Sequence, residues 1–101
     1  VHSMFIAVFR ARVSAPHADE FNRLYAEMGE IVSKIDGYVS HKLFSADDGE
    51  GVVIAEFLDF EAVEAWDKHQ DHKRVKELGK KYIFDEYDVS VGKIVERHVK
   101  P

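Results

Sequence analysis

At 101 residues and 11.6 kDa the chain has room for one domain with a modest core, and 46% hydrophobic and 33% charged residues, with two Pro and six Gly, exclude a disordered or fibrous polymer. A formal net charge of -5 without a basic block would repel a phosphate backbone, which argues against nucleic acid as a partner. Without Cys there are no disulfides, thiolate metal sites or Cys nucleophiles; with neither an apolar run of ~20 residues nor a signal-peptide pattern, the expected setting is the cytoplasm, with no membrane partner.

Val1 to Ser3, ahead of Met4, read as a remnant of cloning, which leaves a single domain over residues 4–101. Met4 to Val13, MFIAVFRARV, is rich in β-favouring residues and too short for an ordinary helix, so it is predicted as the first strand. Pro16 then opens a helix, on which Phe21, Leu24, Tyr25, Met28, Ile31, Val32 and Ile35 recur at helical spacing. Gly37 follows the last apolar position and suits a left-handed cap. Tyr38 to Ser45 and Val52 to Asp59 are strand-like, and the ADDGEG between them carries the Asp-Gly signal of a hairpin. Phe60 to about Phe84 reads as helix with a break near His69 to Asp71, and Tyr87 to Val99 returns to strand chemistry.

The resulting order, β-α-β-β-α-β, is that of an α+β ferredoxin-like fold: a four-stranded antiparallel sheet with its helices on one face. Alternation along the first and third strands makes both sheet faces apolar, Met4, Ile6 and Val8 opposing Phe5, Ala7 and Phe9. Helices on one side cannot cover both faces, so a second copy of the chain is expected on the other, giving a homodimer.

Several stretches resemble one family. Trp66, the HQDH from His69 to His72, Gly79, Tyr82, Tyr87 and the alternating VSVGKIV are similar to the signature of the antibiotic biosynthesis monooxygenase domain, as are DGYVSHKLF from Asp36 and IAEFLDFEAVEAW from Ile54. Gln70 and Asp71 depart from the usual Pro and Glu, and Lys80 stands where Arg often follows the glycine. The resemblance implies a dimeric α+β barrel with a ligand cavity between each subunit's helices and sheet. It further implies a monooxygenase of small aromatic or quinol-like substrates that needs no metal, flavin or other cofactor. Such chemistry asks of the protein only a dry pocket, a base and a few hydrogen bonds.

Candidates to line that pocket are Phe9, Tyr25, Phe57, Trp66, Tyr82 and Phe84, although aromatics at these spacings also serve as ordinary core. Trp66 either stacks on a flat substrate or anchors its helix beside Val63. His72 is the candidate base, with His41 as rival and both also readable as boundary histidines. His69 joins the binding set. With His72 at a spacing of three it offers two arms of a metal site, but without Cys or an HExxH pattern no metal is expected. The family's heme-degrading branch resembles this chain less: it pairs a strand-one Asn and a helix Trp with an iron-ligating His about ten residues later. Here strand one has no Asn, and the tenth residue after Trp66 is Lys76. A heme protein and a non-catalytic binding module on the same fold therefore rank behind the oxygenase.

Overall fold

A computed structural model describes residues 4–101; the cloning-remnant reading of Val1 to Ser3 falls outside the described residues. Strand β1, Phe5–Val13, lies at the centre of the sheet, paired antiparallel on one side with β3, Gly51–Phe57, and on the other with β4, Phe84–Lys93. Strand β2, Tyr38–Ser45, completes the order β2-β3-β1-β4. Helices α1, Ala18–Val32, α2, Phe60–Asp67, and α3, Gln70–Leu78, provide the helical layer. The predicted α+β ferredoxin-like architecture is the one observed.

Boundaries differ from the sequence reading for identifiable reasons. Pro16 sits in a 3-10 turn, Ala15–His17, and α1 proper starts one residue later. That helix ends at Val32, not Ile35, because Lys34 N–H and Ile35 N–H bond to the carbonyls of Ile31 and Val32, three residues back, and tighten the chain out of the α-helix. Gly37 is left-handed, φ +92°, but serves the turn into β2: a Cβ there would stand 2.8 Å from Ala62 Cβ, so only glycine lets this turn approach α2. The ADDGEG segment forms the expected hairpin, closed by Ala46 N–H to Glu50 O at 2.8 Å, with Gly49 at φ +90°. Strand β4 begins at Phe84 and stops at Lys93, short of Val99, because Lys93 lies opposite Phe5, where β1 begins and the ladder runs out of partner.

The helical break falls at Lys68 and His69, with Asp59 capping α2 by accepting from Ala62 N–H at 2.9 Å and His69 Nδ1 capping α3 by accepting from Asp71 N–H at 3.1 Å. After α3 the chain makes one π-helical turn, Gly79–Ile83, before entering β4. The core is centred on Val32, Phe57, Ala62 and Val63, joined by Trp66, Tyr38, Ala55 and Phe5. Residues Ala7, Phe9, Val53, Ala55 and Phe57 face the helices, so by alternation Ile6, Val8, Val52 and Ile54 form the helix-free face. No helix among the described residues is long and apolar enough to cross a membrane.

Candidate active site between the helices and the sheet

The helical layer does not close fully on the sheet. Between them lies a cavity of about 370 Å3, within the range of small-molecule sites. Its floor is Ala7, Phe9, Val53, Ala55 and Phe57; α1 contributes Leu24, Tyr25, Met28 and Val32. At the other side Tyr87, Val89 and Val91 of β4 belong to the wall yet remain 46%, 55% and 46% exposed, so the cavity opens toward that edge.

The polar groups in this apolar wall are few. Trp66 and His72 lie ring on ring, centroids 4.1 Å apart and planes inclined by 10°. The break at His69 folds α3 back so that a residue six positions after the tryptophan reaches its face. His72 Nδ1 is 3.0 Å from the Trp66 carbonyl oxygen. A carbonyl can only accept, so Nδ1 carries the proton, and in the neutral ring Nε2 is the atom with a free lone pair. Burial is the main cause holding the His72 pKa below that of free imidazole; nearby Lys76 adds to it, while the Trp66 carbonyl and Asp67 oppose. At neutral pH His72 is therefore an uncharged base with a fixed tautomer.

Lys76 donates to Asp67 Oδ1 at 2.7 Å and to the Asp67 carbonyl at 3.0 Å, and this contact keeps the Asp67 carboxyl below its ordinary pKa. Across the cavity, the Tyr38 hydroxyl and His41 Nδ1 share a hydrogen bond of 2.6 Å, and the Tyr25 ring meets His41 edge-on at 5.8 Å. Gly29 makes room for this histidine: a Cβ there would come within 3.1 Å of Nε2. Burial pushes the Tyr25 hydroxyl pKa up, so it stays protonated and able to donate.

Of the residues singled out from the sequence, the fold brings Phe9, His41, Phe57, Trp66 and His72 to this one cavity, with Tyr25 and Phe84. Trp66 also packs on the core, so anchoring and lining are joint roles. His69 and Tyr82 lie elsewhere. The imidazole of His69 caps α3, and its ring is tilted 5.8 Å from Trp66 outside the cavity wall. The hydroxyl of Tyr82 donates to Glu20 Oε2 at 2.6 Å, and its ring lies 4.6 Å from that of His17. The π turn explains this: it shifts the helical phase after Gly79, so Ile83, 1% exposed, takes the inward position. Gly79 gives room to Phe84, whose ring would stand 2.7 Å from a Cβ at that glycine. Tyr38, Gly29 and Lys80 were not anticipated as parts of the site.

Comparison with known proteins fits this geometry. The family model described as antibiotic biosynthesis monooxygenase matches residues 4–78, from the start of β1 to the end of α3. Protein YqjZ of Bacillus subtilis is 21% identical over 90 residues, covering 89% of this chain and 79% of that protein. Among solved structures, Rv0793 from Mycobacterium tuberculosis superposes with a TM-score of 0.84 at 15% identity, over 96% of this chain and 100% of that one. A variant of SnoaB, a cofactor-independent oxygenase from Streptomyces nogalater, gives 0.79 at 18% identity over 93% and 95%. With its sheet order, helical layer and three quarters of its length matched in this way, the chain belongs to the antibiotic biosynthesis monooxygenase family.

Proposed function

We propose that this protein is a cofactor-independent monooxygenase of a small aromatic or quinol-like substrate, with His72 as its base and Trp66 as the platform that orients both. The observation that carries this reading is the Trp66–His72 stack on the wall of an apolar cavity, with His72 Nδ1 committed to a carbonyl and Nε2 free. In the proposed reaction Nε2 takes a proton from the substrate, and the resulting anion gives one electron to dioxygen. The substrate radical and superoxide then combine at carbon. The peroxide anion so formed takes back the proton held on His72, and the resulting hydroperoxide loses water, so one oxygen atom stays in a product that has lost two hydrogens and the other leaves as water. The low-polarity walls favour electron release because they solvate the anion poorly. Phe9, Phe57, Tyr25 and His41 hold the ring, with Tyr38 steadying His41. SnoaB, which shares this fold, is itself named a cofactor-independent oxygenase. A heme ligand at the position ten after Trp66 is disfavoured by the residue there, an ammonium already engaged by Asp67.

Oxygen uptake with a panel of quinols and polyketide-like phenols tests the proposal. Protein-dependent uptake with one oxygen consumed per product is expected. Because the His72 pKa is depressed, the base form is present at neutral pH, and the rate should hold there and fall only on acidification past the ordinary imidazole range. The same sign applies to folding: stability linked to His72 is present above the unfolded-state pKa and declines as pH falls toward the folded one. Binding without uptake above the blank would turn the reading to a non-catalytic module.

The same proposal includes a second copy of the chain over the helix-free face, where Ile6, Val8, Val52 and Ile54 form an apolar band beside Phe44, 45% exposed. Light scattering at micromolar concentration should give about twice 11.6 kDa. A stable monomer would end this part of the proposal.

A further inference from the structure

One segment beside the cavity carries charge of the opposite sign to the chain as a whole. In a chain of formal net charge -5, the segment from Lys68 to Lys81 carries Lys68, Lys73, Arg74, Lys76, Lys80 and Lys81 against Asp71 and Glu77 alone. This segment is α3 with its flanking turns, the same part that supplies His72, Val75, Lys76 and Lys80 to the cavity. Three of the cations are neutralised by carboxylates: Lys68 by Glu64, Arg74 by Glu27 and Lys76 by Asp67. Lys80 has no carboxylate partner among the described residues, is exposed, and still belongs to the cavity wall. It is therefore a cation at the rim, with its counter-charge missing. Asp67, the carboxylate of the wall, is already bound to Lys76 and cannot supply it.

From this we infer that the ligand of the cavity is an amphipathic anion: an apolar, flat body that lies against Phe9, Phe57 and Trp66, bearing one carboxylate, sulfonate or comparably acidic group that pairs with Lys80 at the rim. The inference rests on the proposed function above and narrows its substrate class. The positive charge left on α3 and its flanking turns, Lys73, Lys80 and Lys81 against Asp71 and Glu77, favours the approach of such a ligand on this side of an acidic protein. The rim contact remains partly solvated, so it adds discrimination and speed of capture more than raw affinity. It also fixes orientation: one end of the ligand is held at Lys80, and the apolar end is presented to the His72 and Trp66 pair.

Two fluorescent probes that differ by a single charged group test the idea, anilinonaphthalene sulfonate and the neutral phenylnaphthylamine. The sulfonate should bind more tightly than the neutral probe and lose affinity as salt rises, while the neutral one stays within twofold. Lys80→Glu should weaken the sulfonate about fivefold and leave the neutral probe within twofold, because an exposed ion pair contributes little and the reversal adds repulsion. Lys34→Glu, an equal change of net charge on an exposed position outside the cavity wall, should do neither. Equal binding of both probes, or an equal loss with Lys34→Glu, would refute the anionic ligand while leaving the oxygenase reading intact. Failure of both probes to bind would remove the cavity as a ligand site and both readings with it.

Discussion

His72→Gln should lower oxygen turnover by about a hundredfold to a thousandfold, the usual contribution of a positioned general base, while substrate affinity changes little. Glutamine keeps an N–H able to reach the Trp66 carbonyl, and it keeps a planar group to lie on the indole, but it has no lone pair basic enough to accept the proton. The loss should therefore fall on kcat. The stack and the single backbone bond are worth about 1 kcal/mol together, so the variant remains folded at assay temperature. Steady-state oxygen consumption, with thermal denaturation as the control for folding, distinguishes these effects. Undiminished turnover would move the base to His41, the other imidazole of the cavity, and Tyr38→Phe would then be the informative variant.

Phe57→Ala should cost about 3–5 kcal/mol, a large part of the stability of a domain this size. Phe57 is 1% exposed, ends β3, and packs at once against Val32 of α1, Ala62 and Val63 of α2, and the ring of Tyr38 at 6.4 Å. Truncation would leave a void that the surrounding elements cannot fill, because it joins the cavity already present on the same side. At about 4–8 °C per kcal/mol for a domain of about 100 residues, the midpoint should drop by more than 10 °C. Thermal unfolding followed by circular dichroism at fixed protein concentration measures it. A cost below ~1 kcal/mol would show that the two layers are held together elsewhere. Phe57→Leu, which keeps most of the volume, should lose far less and separates packing from ligand contact.

What could be read in the sequence follows from how each feature is encoded. β1, α1 and the β2–β3 hairpin announce themselves through hydrophobic period and the Asp-Gly turn, signals repeated over many residues. Trp66 and His72 could be placed at one cavity because Val63 and Trp66 form one apolar edge at helical spacing and His72 and Val75 begin the next. The π turn at Gly79–Ile83 leaves no such trace, since it changes the phase by one residue within a run that is helical on either reading, and Tyr82 is placed wrongly as a result. The end of β4 is set by where β1 begins, a long-range fact absent from the VSVGKIV pattern itself. Lys80 looks like any solvated lysine until it is found in the cavity wall, where Asp67 is already bound to Lys76.

The pairing of β2 with β3 slips between Tyr38 and Ser40, with Tyr38 opposite Phe57 and Ser40 opposite Glu56, leaving Val39 as an extra residue, 41% exposed. Residues three apart on a regular strand point to opposite faces; here the slip changes the parity of the strand, so Tyr38 and His41 both face the helices and bond at 2.6 Å. The site thus depends on a count of residues as well as on their identities. Removing Val39 would leave Tyr38 and His41 two apart, regularly paired and both still facing the helices, whereas adding a residue without a matching slip would turn one of them to the other face. An insertion in β2, which an exposed strand at the sheet edge would ordinarily absorb, acts here as a change of active-site chemistry.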